Sequence, residues 1–95
     1  MLCIVLYDIT ENKARKKVSD HLLNQGLVRA QYSVFIGKLA KNRADEVALL
    51  AESLLAETDR LYIIPVERDA LNTARMVGLG IDVSLVSDEL LTMVM

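Results

Sequence analysis

Ninety-five residues with a formal net charge of −2, 53% of them hydrophobic and only four aromatic, describe one small domain with an aliphatic core. No stretch approaches the ~20 apolar residues of a membrane span. The first charge is Asp8 rather than a basic signal-peptide flank, and the single cysteine, Cys3, excludes an internal disulfide. A soluble, cytoplasmic protein is therefore expected, and so much apolar surface in so short a chain predicts burial against a second copy.

The chain opens on a strand, Met1 to Ile9. Leu2, Ile4 and Leu6 alternate with Cys3, Val5, Tyr7 and Ile9, so both faces are apolar, as in a central strand covered on both sides. Cys3 sits mid-strand and reads as a small core residue. Asp8 interrupts the pattern on the side of Leu6, where a carboxylate beside so much buried surface needs a partner. Thr10 to Asn12 start a helix with Ala14, Val18 and Leu22 at i+4 spacing, and Gly26 ends it. Lys13, Arg15, Lys16 and Lys17 lie on its outer face. His21 reads as a flank of this helix rather than a ligand, because no second His or Cys-x-x-Cys accompanies it.

Residues 27–39 alternate with period two. Val28, Ala30, Tyr32, Val34 and Ile36 form a core face opposite Arg29, Gln31, Ser33 and Phe35. No Asn-Gly or similar turn divides the stretch, so one long or bent strand is expected rather than a hairpin. Asn42, with Asp45 three residues on, reads as a capping-box-like start of a second helix. Its apolar stripe is Ala44, Val47, Ala48, Ala51, Leu54 and Leu55. Arg60 to Val66 is a further strand, which Pro65 marks as an edge or an end. Residues 68–76 suggest a short helix closed by Gly78 and Gly80, and Ile81 to Val86 a last strand. The tail from Leu90 to Met95 is apolar without an obvious place to go. This order predicts an α+β sandwich with helices on one face.

Chemistry-bearing residues are few: the chain has no Gly-rich phosphate loop, no Ser-His-Asp set and no zinc spacing. Asp8, at the end of a central strand and ahead of a basic helix, points to a metal or phosphate site. Magnesium usually takes one or two carboxylates with waters and substrate phosphate. Two protomers meeting about a two-fold axis near Asp8 would supply two, enough to hold one Mg²⁺ that activates a water against a phosphodiester. The competing reading makes Asp8 a helix cap, or an ion-pair partner of Arg15 or Arg29. Charge is also uneven, with residues 1–43 carrying +5 and residues 44–95 carrying −7. This describes either solvated helix faces or a basic front for a polyanion, including Lys16, Lys17 and Arg43, with an acidic rear.

The Tyr7-Asp8-Ile9 strand end, the Lys13/Arg15/Lys17/Val18 helix start and the run Arg29-Ala30-Gln31-Tyr32-Ser33-Val34-Phe35-Ile36-Gly37 resemble the small CRISPR-associated adaptation nucleases. These act beside the CRISPR integrase in spacer acquisition, and the resemblance covers residues 1 to about 66. It implies a ferredoxin-like βαββαβ fold in which residues 27–39 supply two strands. It also implies a homodimer, with an extra C-terminal strand (Ile81 to Val86) crossing to the partner's sheet. On that frame residues 1–66 form the core, and residues 67–95 an extension of short helix, exchanged strand and apolar tail.

The activity implied is Mg²⁺-dependent endonuclease cleavage of RNA or duplex DNA. A non-catalytic adaptor bridging integrase dimers is the first alternative, and a toxin-like ribonuclease of the related virulence-associated family the second. A ferredoxin-like regulatory domain for a small ligand fits the 29–37 motif less well. By motif, Asp8 matches the metal ligand, Ser33 a group that positions water or phosphate, and Arg15 and Arg29 contacts to phosphate. Tyr7 and Phe35 match packing positions beside the site. The chain departs from the family pattern at Ala14, which interrupts the basic run, and at Ile36, where an acid is common. The segment after Val66 is longer than in minimal members.

Overall fold

The elements follow in the order β1 (Leu2–Asp8), α1 (Asn12–Asn24), β2 (Val28–Gln31), β3 (Val34–Lys38), α2 (Lys41–Leu54), β4 (Arg60–Pro65) and α3 (Arg68–Asn72), in a computed structural model that describes residues 1–79. All strand pairs are antiparallel and the spatial order is β2-β3-β1-β4. The opening strand is thus central, and the fold is a ferredoxin-like α+β sandwich. The expected strand Ile81 to Val86 and the apolar tail lie outside the described residues.

Burial explains why β1 holds the middle. Cys3 and Val5 are fully buried and Tyr7 and Ile9 nearly so, all against Ala14, Val18 and Leu22 of α1 and Ala44 and Val47 of α2. Each aliphatic side chain so placed contributes about 1.5–3 kcal/mol. Burial also pushes the Cys3 thiol pKa up, which leaves it an inert core residue. The opposite face is less complete. Leu2, Ile4 and Leu6 are only half-buried there, and Leu71 of α3 packs at one end with Ile36, Leu2, Ile4 and Ala30. The helices are therefore not confined to one face as expected, because this second face is itself apolar and draws α3 onto it.

The 27–39 stretch is a hairpin and not one strand. Gln31 pairs with Val34 across a two-residue turn of Tyr32 and Ser33, and the register slips between Arg29 and Gln31. Neither turn residue has positive φ. The hairpin therefore turns without the left-handed residues that the favoured two-residue loops require, and a bulge at its side takes up the misfit. Both faces of the stretch are covered in part: Ile36 and Ala30 of the expected core face pack with Leu71, and Phe35 on the other face is fully buried under the helices. Tyr32, placed in the core by alternation, is 70% exposed.

Helix ends follow local chemistry. Gly26 at φ 89° closes α1, with its N–H donating to the Leu23 carbonyl (3.0 Å) and the Leu27 N–H to that of Leu22 (3.2 Å). This is a Schellman ending with both leucines in the core. Leu27 then passes over Gly37, where a Cβ would stand 3.1 Å from its Cα, so β3 needs glycine at that point. Asn42 does not cap α2. The cap position is Ala40, because mutual hydrogen bonds between Met1 and Leu39 (2.7 and 2.8 Å) end the sheet there and the chain must turn at once.

Asp59 ties the two loops at the far end of the sheet. Its carboxylate accepts from the Thr10 N–H (3.0 Å), the Thr10 hydroxyl (2.7 Å) and the Ala56 N–H (2.9 Å). The Thr10 hydroxyl, followed by the backbone donors, holds its pKa below the ordinary carboxylate value. The stabilisation is therefore present in full above the unfolded-state pKa and is lost as pH falls through the depressed folded value. Asp59→Ala is expected to lower the melting temperature at neutral pH. The gap from wild type should close in acid, as read by thermal melts across pH.

Candidate active site

Side chains alternate along β1, so Tyr7 and Asp8 leave its end on opposite faces. The residues that the motifs grouped around one site are thereby divided between two surfaces. On the open face Asp8 is exposed and stands opposite Arg60 of β4 in register. Its side chain makes no hydrogen bond or ion pair among the described residues. Neither competing reading of it holds: α1 is preceded by Glu11 at the cap position, and Arg15 donates instead to the carbonyls of Ile9 (3.1 Å) and Thr10 (3.4 Å). Half-buried Leu6, with Tyr62 (53% exposed) and Ile64 (46% exposed) on β4, continues this face as an apolar surface. Among the described residues no three His, Cys, Asp or Glu side chains cluster to hold a metal ion.

On the helix face the same strand end opens into a cleft of about 380 Å³. Tyr7 stacks on Phe35, with centroids 6.1 Å apart and planes at 22°. The Arg29 guanidinium lies 5.0 Å from the Phe35 ring and 5.8 Å from that of Tyr32. Burial pushes the Tyr7 phenol above its ordinary pKa, against the lowering influence of the nearby Arg29 guanidinium. Tyr7 is therefore neutral at physiological pH and can share a proton in a hydrogen bond without acting as a base. Arg15 and Lys16 flank the cleft.

The other expected site residues sit apart. Ser33 is the second turn residue of the hairpin, and its carbonyl accepts the Tyr7 N–H at 3.1 Å. Its visible contribution is therefore to the backbone of β1. Lys16 pairs with Asp20 at 2.9 Å on an exposed surface, and Lys17 is exposed beside it. A surface pair of that kind is worth about 0–1 kcal/mol and yields easily to a phosphate. Arg43 pairs with Glu46 at 3.1 Å on α2, which starts beside Met1 at the opposite end of the sheet from Asp8. The basic front is thus concentrated at one end, around α1.

Sequence reasoning did not single out Asn12, Ser19, Leu23 or Tyr32, all of which line the cleft. A signal for three of them was present. Asn12, Lys16, Ser19 and Leu23 recur at i+4, i+3 and i+4, a second stripe of α1 beside the apolar one. Tyr32 had no such signal, because its role depends on the turn.

The family model described as CRISPR associated protein Cas2 matches residues 1–74, which runs from β1 through α3. A CRISPR-associated endoribonuclease Cas2 of Pyrobaculum aerophilum is 37% identical over 82 residues, covering 82% of this chain and 87% of the relative. A CRISPR-associated endonuclease Cas1/endonuclease Cas2 fusion of Thermoproteus tenax is 37% identical over 75 residues, 78% of this chain and 28% of that longer protein. In structure, Cas2 of Streptococcus pyogenes superposes with a TM-score of 0.71 at 19% identity, over 82% of this chain and 100% of the other. The chain belongs to the family of CRISPR associated protein Cas2.

Proposed function

We propose that the protein is a metal-dependent endonuclease of CRISPR adaptation that works as a homodimer on RNA or duplex DNA. The observation that carries this is Asp8: an exposed carboxylate with no side-chain partner among the described residues, at the end of the central strand, beside the apolar surface of Leu6, Tyr62 and Ile64. A face of that composition is stabilised by a second copy. Two copies meeting about an axis near Asp8 bring two carboxylates together. One carboxylate is the low end of the one or two that Mg²⁺ usually takes, and a pair gives the fuller set, with waters and phosphate completing the shell. When bound there, the ion would supply charge stabilisation to the phosphodiester and a more acidic water.

The rest of the reading concerns the chain's own groups. Arg15, fixed by the carbonyls of Ile9 and Thr10, keeps guanidinium donors for phosphate, and Lys16 and Lys17 add charge beside it. Ser33 holds the end of β1 through its carbonyl. The relative in which Cas1 and Cas2 form one polypeptide supports an integrase setting over a free-standing toxin. A non-catalytic bridge between integrase subunits is the second reading, favoured by the presence of a single carboxylate per chain at the strand end.

Cleavage of labelled RNA and duplex DNA by the purified protein, with Mg²⁺ and with EDTA, tests the proposal. Cleavage only with Mg²⁺ is expected; a folded dimer that binds duplex and never cleaves favours the bridge. The dimer face has its own test. Ile64→Glu places a charge on the half-exposed part of the open face. It should give a folded monomer by sedimentation at concentrations where the wild type is dimeric. An unshifted dimer would place the interface elsewhere.

A further inference from the structure

The cleft on the helix face shares Arg15 and Lys16 with the proposed phosphate contacts, and the rest of its lining has a chemistry of its own. Arg15, Lys16 and Arg29 supply positive charge, and Lys16 alone of these is offset by Asp20. Tyr7, Ser19 and Asn12 add hydrogen-bonding groups. Tyr32 and Leu23, 70% and 46% exposed, are apolar surfaces that the fold leaves uncovered. Arg29 lies over the Tyr32 ring, and the Tyr32 phenol is near enough to Tyr7 to affect its ionisation. The hairpin thus presents an aromatic face with a cation beside it, opposite the basic stripe of α1.

We propose that this cleft binds one unpaired nucleotide of a single-stranded nucleic acid, its base stacked on Tyr32 and its phosphate held by Arg15 and Lys16. A volume of about 380 Å³ is within the range of small-ligand pockets, about 300–1,000 Å³. Single strands offer an unstacked base with a π-face, and aromatic and Arg side chains are the usual platform for one. A duplex keeps its bases stacked inside and presents only phosphates, so it has nothing to place on Tyr32. The assignment rests on nucleic acid as the substrate class proposed above, and it needs neither Asp8 nor a metal ion. The site would give the protein a means of holding a frayed end or an overhang beside the basic surface that holds the backbone.

The test is fluorescence anisotropy with a short labelled oligouridylate, and with the same strand annealed to its complement, both in EDTA so that no cleavage occurs. Tyr32→Ala should weaken single-strand binding about ten- to a hundredfold. Tyr32→Phe should restore it, and duplex binding should change in neither variant. Tyr32 is largely exposed, so the fold tolerates both changes. Wild-type affinity of Tyr32→Ala for the single strand would overturn the proposal, as would equal losses on single strand and duplex. Because the readout is metal-free binding, it stands or falls separately from any result on cleavage.

Discussion

Asp8→Asn is expected to reduce phosphodiester cleavage by more than about a hundredfold while the protein stays folded and dimeric. The size follows from what is removed. Loss of a group that merely orients a metal ligand costs about 10–100-fold, and at the proposed site this change would remove the ligand itself from both copies at once. Asn keeps the shape of the side chain, and Asp8 is exposed, so no packing or hydrogen bond among the described residues is lost. The melting temperature should hold, or rise slightly where two like charges no longer face each other across the axis. Steady-state cleavage of labelled RNA, with sedimentation and melting of the same sample, checks both halves. Cleavage at the wild-type rate would remove Asp8 from the chemistry.

The second large effect falls on stability. Phe35→Ala should lower the unfolding free energy by about 3–5 kcal/mol, a large part of the 5–15 kcal/mol usual for a domain. Phe35 is fully buried between the sheet and the helices, and it is the surface on which both Tyr7 and Arg29 rest. Its removal leaves a cavity at the centre of the core and withdraws support from Arg29. Urea titration should show a lower midpoint with an unchanged slope, and Phe35→Leu should recover much of the loss. A midpoint near wild type for Phe35→Ala would mean that the core closes over the gap.

That Phe35 anchors the core could not be read from its neighbours. Period two holds along 34–38 and is broken between Arg29 and Gln31 by the bulge, and alternation alone does not say which face is inside. Tyr32 was counted with Val28 and Ile36, when it belongs to the turn, and the opposite face, that of Phe35, is buried as well. The turn itself was hidden, since Tyr32-Ser33 has none of the Gly, Asn or Asp of the favoured hairpin loops and a neighbouring bulge absorbs the mismatch. The family resemblance called for two strands there, and on this point it was the better guide.

Other features were plain from the residues. Gly26 ended α1 as its position suggested, the apolar stripe of α2 is the buried one, and Pro65 ends an edge strand. Asp8 stood out because it is a charge on an apolar strand, and its side chain has no partner among the described residues. Asp59, in contrast, bonds Thr10 across 49 residues of sequence, and no local pattern announces such a contact. The same holds for the division of the site. Adjacent residues Tyr7 and Asp8 look like one motif and serve two surfaces, because a strand sends neighbours to opposite sides.

The central claim is that one metal ion is shared by two Asp8 carboxylates, and counting ions tests it most directly. Mn²⁺, a spectroscopically visible substitute for Mg²⁺, can be titrated into the protein and the bound fraction read by electron paramagnetic resonance. One ion per two wild-type chains, and none in Asp8→Asn, is the predicted result. One ion per chain, or equal binding by the variant, would contradict the shared site.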